Sequence, residues 1–367
     1  MFDNIRPLYD NELHDAIKQI VAAPIFPAIA NFIYPDKTPE EVAELLLSIK
    51  DIYTLQNVVM RSAIEQILSR SVSKFTFQQN GIEPGKPYLF ISNHRDIVLD
   101  AFLLQYHYID FNNLFITFGA NLMQDSIITL IGRANRMFRV ERGGHPREFY
   151  QNMMLTSRYI RHVITTQHNS IWIAQRNGRT KNGLDETEPA ILKMFALSDH
   201  STKETPLRSL HSLNIVPISI SYEWEPCDLL KAHELHLRHL GPYNKAPNED
   251  MNSVITGLLQ QKGHVNITVT KPLTDEEINL CAATSTPFEN LAALIDHRIY
   301  SSFYLHPNNY IAHDILYNSN RHQNQYSSQQ YEAFISHINQ APTQQERDIL
   351  LQIYSNPTEH YRQTSHM

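Results

Sequence analysis

The first 75 residues carry apolar side chains at three- and four-residue intervals, the spacing that places them on one face of a helix. The pattern is clearest in Glu41–Ile49 and Ile52–Leu68. Thr38-Pro39-Glu40-Glu41 comes just before the first stretch, and a capping residue followed by proline and acids is typical of a helix start. We therefore predict a small helical N-terminal domain, or lid, over residues 1–75.

Short apolar runs alternate with longer amphipathic stretches in the central part of the chain. The predicted strands are Tyr88–Ser92, Leu114–Thr117, Met137–Glu141, Ser170–Ala174, Ile215–Ser221 and Val265–Thr270. The predicted helices between them include Asp100–Tyr108, Asp125–Arg133 and Arg147–Ile164. Strands alternating with helices indicate βαβ units. The expected fold class is α/β, a mostly parallel sheet flanked by helices, forming an α/β domain over residues 76–312.

The last part of the chain, residues 313–367, is rich in Asn, Gln, Ser and His. We expect a polar helical C-terminal extension there, made of an amphipathic helix and a loose end. Three histidines earlier in the chain recur at three-residue intervals, His233, His236 and His239. We interpret them as part of a solvated helix and predict no metal site.

Charge is distributed unevenly along the 367 residues. The net charge is −7, which argues against a polyanionic partner such as nucleic acid. Residues 119–181, the basic segment, nevertheless hold ten Lys or Arg against three Asp or Glu. Six of the 11 glycines lie in or beside this segment. The two cysteines exclude a disulfide framework and fit a reducing compartment.

One apolar stretch near the N-terminus, Ile20–Tyr34, could be taken for a membrane segment. It is too short to span a bilayer and contains Pro24 and Pro27. We expect a broken core helix, and keep contact with a membrane surface as the alternative.

A histidine with nearby carboxylates follows the first predicted strand, in Ser92-Asn93-His94-Arg95-Asp96 and then Asp100. A carboxylate on one imidazole nitrogen fixes the tautomer and raises the basicity of the other nitrogen. His94 and Asp100 would not share a helix face, because six positions correspond to about 600° of rotation. They can meet only if His94 lies in the turn before the helix; Asp96 is the competing partner. The alternative is that these residues only cap the sheet and the helix.

Two stretches of the basic segment follow predicted strands and combine arginines with glycines. In Phe138–Arg142, strand alternation would place Arg139 and Glu141 on one face. Gln175–Gly183 is a polar loop that contains Gly178, Arg179 and Lys181. Arginine and lysine suit a phosphate, and glycine permits close backbone approach. Together they favour a shared anion site, although each alone could be a solvated basic loop.

The order of these features resembles the phospholipid and glycerol acyltransferases, especially the glycerol-3-phosphate acyltransferases. That family has a His-x4-Asp motif, an arginine motif near a Phe, a motif resembling Glu-Gly-x-Arg-Ser-Arg-x-Gly, and a Val-Pro-(Ile/Val) strand. The matching stretches are Asn93–Asp100, Phe138–Arg142, Asn177–Gly183 and Val216-Pro217-Ile218. The resemblance covers roughly Lys86–Pro272.

The sequence departs from the family pattern at two places. The His94–Asp100 spacing is one residue longer, which we read as an insertion in the turn. The glutamate of the third motif is absent, and Gln175 or Asn177 holds its place. Either amide can hydrogen-bond a substrate hydroxyl but carries no charge.

The resemblance implies acyl transfer with no covalent enzyme intermediate. His94 would deprotonate the acceptor hydroxyl, oriented by Asp100 or Asp96. The residues implied for substrate binding are Arg142 and Arg179 for the phosphate, Lys181 and Arg139 in support, Gly178 for loop approach, Gln175 or Asn177 for a hydroxyl, and Pro217 beside the acyl chain. The implied donor is acyl-CoA or acyl carrier protein, and the acceptor is glycerol 3-phosphate or its 1-acyl derivative. No cofactor beyond this co-substrate is expected.

Lipid substrates require access to a membrane, so we expect a cytoplasmic protein in peripheral contact with the inner membrane surface. Ile20–Tyr34 and the basic segment are the candidate contacts. Alternative acceptors are dihydroxyacetone phosphate and an aminolipid hydroxyl. A non-catalytic phospholipid-binding protein of the same fold is the alternative from another class, and it would place His94 more than about 5 Å from both Asp96 and Asp100.

Overall fold

A seven-stranded mixed sheet forms the centre of the molecule. The computed structural model describes residues 2–110, 113–120, 126–141, 143, 145–198, 206–246 and 248–365. The strands are β1 Val72–Gln79, β2 Leu89–Ser92, β3 Leu114–Gly119, β4 Met137–Val140, β5 Ser170–Ala174, β6 Ile215–Tyr222 and β7 Gly263–Val269. Their order across the sheet is β1-β7-β6-β2-β5-β3-β4. Every neighbouring pair is parallel except β6 and β7. The α/β fold class predicted from the sequence is confirmed.

All six predicted strands are present, with ends that differ by at most two residues. The sequence pattern missed β1, which continues directly from a helix ending at Ser71 and pairs with β7 at the sheet edge. The predicted helical stretch therefore ends four residues early. Phe75 and Phe77 alternate with polar residues in β1. The helix that ends at Ser71 runs directly into this strand, so the two-residue period was not distinguished from the helical one.

Helices cover both faces of the sheet. They are α1 Asp10–Val21, α2 Phe26–Ile33, α3 Pro39–Ser48, α4 Ile52–Leu55, α5 Arg61–Ser71, α6 Leu99–Tyr108, α7 Ser126–Ala134, α8 Pro146–Thr165, α9 Pro189–Ala196, α10 Asp228–Leu240, α11 Glu249–Leu259, α12 Asp275–Ala282, α13 Pro287–Ser301, α14 Pro307–Leu316, α15 Ser328–Ile338 and α16 Gln344–Ser365. In β2, Leu89 and Ile91 join the core under α8, α9 and α13, whereas Phe90 joins the core under α5 and α6. Successive strand residues face opposite sides, so β2 is buried on both.

The N-terminal helices have an apolar cluster of their own, which includes Leu13, Ile17, Phe26 and Leu46. Ile20–Tyr34 contains the end of α1 and all of α2, which are bent by 104°. Among the described residues, no single helix is long and apolar enough to cross a membrane, and α1 with α2 passes that test only as a bent pair.

The C-terminal extension is more ordered than its composition suggests. Helices α14, α15 and α16 pack on one another and on α10, around a cluster that includes Ala232, Phe334, Leu350 and Tyr354. Buried apolar side chains are thus spaced through a polar sequence, and the expected loose end is helical as far as Ser365.

Candidate active site

His94 lies in the turn between β2 and α6, where it forms a hydrogen-bonded pair with Asp100. The Asp100 carboxylate can only accept, so His94 Nδ1–H donates to Asp100 Oδ2 over 2.8 Å. The imidazole also packs edge-on against Trp172, with ring centroids 5.6 Å apart. With Nδ1 engaged, Nε2 is the nitrogen that can act as a base toward the cavity that His94 lines.

The longer His–Asp spacing is absorbed by the turn. The backbone N–H groups of Arg95 and Asp96 both donate to Asp100 Oδ2, at 2.6 and 3.0 Å. Tyr222 Oη–H donates to Asp100 Oδ1 at 2.7 Å from the end of β6. Burial, and then the Asp100 charge, raise the pKa of Tyr222 well above its usual value, so the phenol stays protonated and donates. Asp100 is fully buried and is held by four donors.

Asp96 has a different task. Its Oδ1 accepts from the backbone N–H groups of Val98 and Leu99, both at 2.8 Å, and so caps the start of α6. The two aspartates left open by the sequence are therefore distinguished by geometry: Asp100 contacts the imidazole, and Asp96 satisfies the helix terminus. The 2.8 Å contact also lies far below the separation of about 5 Å expected for a non-catalytic relative.

The loop after β5 lies beside His94, because β5 and β2 are adjacent parallel strands. Gln175 N–H donates to Ser92 O at 2.8 Å, and Thr180 N–H donates to His94 O at 2.9 Å. Gly178, at the loop tip, has a φ of +80°, a conformation that glycine adopts without steric strain. The predicted loop is thus attached by its backbone to the turn that holds His94.

Helix α16 supports the far side of this loop. Asn356 Nδ2 donates to Asn182 O at 2.7 Å. Gly183 has a φ of +79°, and a Cβ at that position would overlap the carbonyl oxygen of Ile353. The C-terminal extension therefore holds the loop in position.

His94 opens into a cavity of about 310 Å³ that is rich in cationic side chains. The charged residues in its lining are Arg176, Arg179, Lys181, Arg238 and Lys245, with Glu234 and Asp250. Five cations against two carboxylates give the cavity a net positive charge. The predicted residues Asn177, Gly178, Arg179 and Lys181 all lie on this lining.

Two of these cations pair with the same carboxylate of the lining. Lys181 Nζ lies 2.5 Å from Glu234 Oε2, and Arg238 Nη2 lies 2.7 Å from Glu234 Oε1. Burial, and then the charge of Arg179, lower the pKa of Lys181. Arg176 Nε and Arg179 Nη1 are buried nitrogens with no hydrogen-bond partner in the described part of the chain. Buried guanidinium N–H groups without acceptors are costly, so these two arginines favour an anion in the cavity.

A second cavity of about 200 Å³ shares a wall with the first. The shared residues include Phe118, Ala174 and Asn177. Its further lining is mainly apolar, with Glu141, Gly143 and Glu188 beside the apolar residues Val140, Phe149, Met153, Ile173, Ala190, Ile191 and Met194. A substrate with a charged head and an apolar chain could occupy both cavities at once.

Three residues predicted to bind substrate line neither of the two cavities in the described structure. Arg139 lies on the edge strand β4, which is separated from β2 by β5 and β3, and pairs with Glu141 over 2.6 Å. Gln175 is fully buried, and its Oε1 accepts from Thr187. Pro217 is buried within β6 opposite Ile91, five residues before β6 ends at Tyr222. Arg142 lies outside the described residues.

The sequence reasoning also missed residues that the fold brings to the site. Arg176 belonged to the basic segment but was not singled out, and Tyr222, Arg238 and Lys245 come from distant β6, α10 and the loop after it. Only the charge and the position of Arg176 after a strand could have suggested it. The others carry no local sequence signal.

A buried network of charges supports the turn between β2 and α6 that holds His94 and Arg95. Arg95 pairs with Asp185 and, over 3.0 Å, with Glu225. Lys231 Nζ donates to Glu225 Oε1 at 2.5 Å and to Arg95 O at 2.9 Å. Burial opposes the charge of Arg95, but the two carboxylates outweigh it and raise the pKa of the guanidinium. The network ties the turn to the loop after β5, to β6 and to α10.

The sequence and the fold were compared with those of known proteins. No protein-family model and no curated protein matches the sequence. Among solved structures, the fold is similar to that of the 1-acyl-sn-glycerophosphate (LPA) acyltransferase of Thermotoga maritima, with a TM-score of 0.37 and 11% sequence identity over 79% of this chain and 92% of that chain.

Proposed function

We propose that this protein is an O-acyltransferase that moves a fatty acyl group from a thioester to a hydroxyl of glycerol 3-phosphate or 1-acylglycerol 3-phosphate. The donor would be acyl-CoA or acyl carrier protein. One observation carries the proposal: His94, paired with Asp100, opens on the same cavity as Arg176 and Arg179, and one buried nitrogen of each arginine lacks an acceptor in the described part of the chain. A base and an anion site side by side suit a hydroxyl acceptor that carries a phosphate.

The reaction would proceed in one acyl transfer. His94 Nε2 takes the proton of the acceptor hydroxyl while the hydroxyl oxygen attacks the thioester carbonyl carbon. The new C–O ester bond forms, the C–S bond breaks, and the leaving thiolate takes the proton from the imidazolium. Asp100 keeps Nδ1 protonated and stabilises the positive imidazole during the step.

The two cavities would divide the substrates between them. Arg176 and Arg179 would hold the phosphate, because guanidinium groups form charge-assisted hydrogen bonds to phosphate oxygens. The apolar cavity lined by Phe149, Met153 and Met194 would take the acyl chain. This replaces Pro217 as the candidate residue beside the chain.

We further propose peripheral contact with the inner membrane surface, since lipid substrates reside there. Ile25, in the bend between α1 and α2, is 55% exposed and could enter the lipid interface. The basic segment would add attraction to anionic headgroups. Sedimentation of the protein with anionic vesicles, compared between the natural chain and Ile25→Asp, tests this part separately.

The activity is tested with the purified full-length chain and a panel of substrates. Acyl-CoA and acyl carrier protein would each be offered with glycerol 3-phosphate, 1-acylglycerol 3-phosphate, dihydroxyacetone phosphate and an aminolipid. We expect transfer to a phosphorylated acceptor, loss of transfer in His94→Ala, and full activity in His14→Ala, an exposed histidine on α1. Transfer that survives His94→Ala, or no transfer with any pair, would overturn the proposal.

A further inference from the structure

Two histidines and an aspartate come together in the C-terminal helical part of the molecule. His313 and Asp314 lie on α14, and His322 lies in the loop that follows. One potential ligand atom from each residue can be chosen so that all three lie within 4.8 Å of one another. His313 Nδ1 and Asp314 Oδ1 are 4.0 Å apart. His313 and Asp314 are buried, and His322 is partly buried.

The surroundings of His313 orient its ring toward this cluster. Glu359, on α16, has its Oε1 2.6 Å from His313 Nε2. The carboxylate accepts a hydrogen bond from Nε2–H, and in that tautomer Nδ1 presents its lone pair on the side of Asp314. A histidine that gives one ring N–H to a carboxylate while its other nitrogen faces a ligand cluster is the usual second-shell arrangement of a metal site.

Asp314 is fixed just as firmly. Its Oδ1 accepts from Ser319 Oγ at 2.7 Å, and its Oδ2 accepts from His322 N–H at 2.9 Å and from Tyr326 Oη at 3.1 Å. The hydrogen bond from its own backbone keeps His322 close to the carboxylate. The rings of His313 and His322 meet at 86°, with centroids 4.8 Å apart. The three side chains are therefore held together before any ligand arrives.

We propose that His313, Asp314 and His322 bind a divalent transition-metal ion, with Zn²⁺ as the best fit. Two imidazole nitrogens and one carboxylate suit Zn²⁺, whereas Mg²⁺ and Ca²⁺ prefer oxygen ligands. Zinc bonds of about 2.0–2.1 Å place tetrahedral ligands roughly 3.3 Å apart. Binding would thus draw His313 Nδ1 and Asp314 Oδ1 together by roughly 0.7 Å, within the reach of a side-chain adjustment.

The fourth position of the ion would be open to water. His313 lines a cavity of about 370 Å³, together with Tyr317, Ser319, Arg321 and Glu359. The charge of Arg321 works against a cation, but Asp314 and Glu359 supply two carboxylates beside it. Three protein ligands and one water are the usual complement of an open zinc site.

The ion would link three segments, of which α16 is distant in sequence from the other two. Its ligands come from α14 and from the loop before α15. Glu359 on α16 would hold the ring of His313 through its hydrogen bond to Nε2. A ligand that binds only the folded chain stabilises it. We therefore expect zinc to raise the thermal stability of the chain. Acyl transfer should stay unchanged, because none of the three residues lines the cavity at His94.

The test is calorimetric titration of chelator-treated, full-length protein with Zn²⁺ alone. We expect one tight site per chain, about 100-fold weaker binding in His322→Ala, and binding about 10- to 100-fold weaker in Glu359→Gln. His14→Ala, which removes an exposed histidine elsewhere, should bind as the natural chain does. Equal binding by the natural chain and His322→Ala, or no binding by either, would overturn the proposal.

A second readout guards against loss of folding. Co²⁺ bound to two nitrogens and one or two oxygens gives visible absorption bands that report its coordination. The natural chain and His14→Ala should show these bands, and His322→Ala should lose them while circular dichroism shows it folded. If His322→Ala does not fold, His322→Gln replaces it with the same expectation. Bands that persist in a folded His322 variant would also overturn the proposal.

Discussion

Replacing Asp100 by Asn should separate the orienting role of this carboxylate from its charge. Oδ2 accepts three donors, from His94 Nδ1 and from the backbone of Arg95 and Asp96, while Oδ1 accepts one, from Tyr222. An amide oxygen in the Oδ2 position keeps all three of its donors. The amide NH₂ then faces Tyr222, whose hydroxyl can turn and accept. The reverse orientation would turn the NH₂ toward all three donors. The imidazole can change tautomer and accept, but the two backbone N–H groups would lose their acceptor, at about 1–3 kcal/mol each.

The expected loss is therefore that of the charge and not of the tautomer. At an effective dielectric of about 20, two unit charges about 4 Å apart interact by about 4 kcal/mol, and a charged hydrogen-bond partner exceeds a neutral one by roughly 1–2 kcal/mol. Between these bounds, about 2–4 kcal/mol of transition-state stabilisation is lost, which lowers kcat about 30- to 1000-fold. Because every donor at Asp100 stays satisfied, the free energy of unfolding should change by less than about 1 kcal/mol.

The assay is the release of free thiol from acyl-CoA in the presence of the acceptor, with unfolding by urea measured in parallel. Asp96→Asn is the matched control, since Asn caps a helix about as well as Asp and this residue does not contact the imidazole. It should keep kcat within about threefold. An Asp100→Asn variant as active as the natural chain, or an equal loss in Asp96→Asn, would refute the assignment of Asp100.

Three further predictions follow from other parts of the structure. Arg179→Ala should raise the KM for the phosphorylated acceptor about 10- to 100-fold with little change in kcat, because a charge-assisted hydrogen bond is lost, whereas Arg139→Ala, outside the described cavities, should leave steady-state kinetics unchanged. Gly183→Ala should lower the free energy of unfolding in urea by at least about 2 kcal/mol, since its positive φ and the overlap with α16 both oppose a Cβ; an unchanged midpoint would contradict this. Burial raises the pKa of Asp296 to about 7, so the folded state binds more protons than the unfolded state between about pH 4 and pH 7 and stability falls as the pH rises through that window. Asp296→Asn should therefore be more stable than the natural chain by about 2 kcal/mol at pH 8, with a smaller gain at pH 5; a gain independent of pH would disprove the titration.

Most strands and the fold class could be predicted from the local sequence pattern. Buried strands such as Ser170–Ala174 are short apolar runs, and their alternation with helices fixed the fold class. The resemblance drawn from ordered motifs identified His94 and the loop from Asn177 to Lys181, which the structure brings to one cavity. These features share a cause: parallel neighbours β2 and β5 end at the same edge of the sheet, so residues that follow them meet.

The errors arose where position in the sheet or side-chain direction decides the outcome. Arg139 also follows the alternation of a strand, but β4 is at the sheet edge, separated from β2 by β5 and β3. Gln175 is next in sequence to Arg176, yet it turns into the core toward Thr187. The histidines at three-residue intervals on α10 were considered for a metal, whereas the cluster proposed here joins α14 to the loop after it.

The sequence by itself determined the local elements, the turn that holds the candidate base, and the concentration of positive charge that suits a phosphate. Only the tertiary structure decided which side chains complete the site. Tyr222 reaches Asp100 from 122 positions away, and α16 supports the loop at Gly183 from the far end of the chain. Such contacts depend on the order of strands and on the packing of distant helices. Local periodicity reports which face of an element is buried but not which other element covers it.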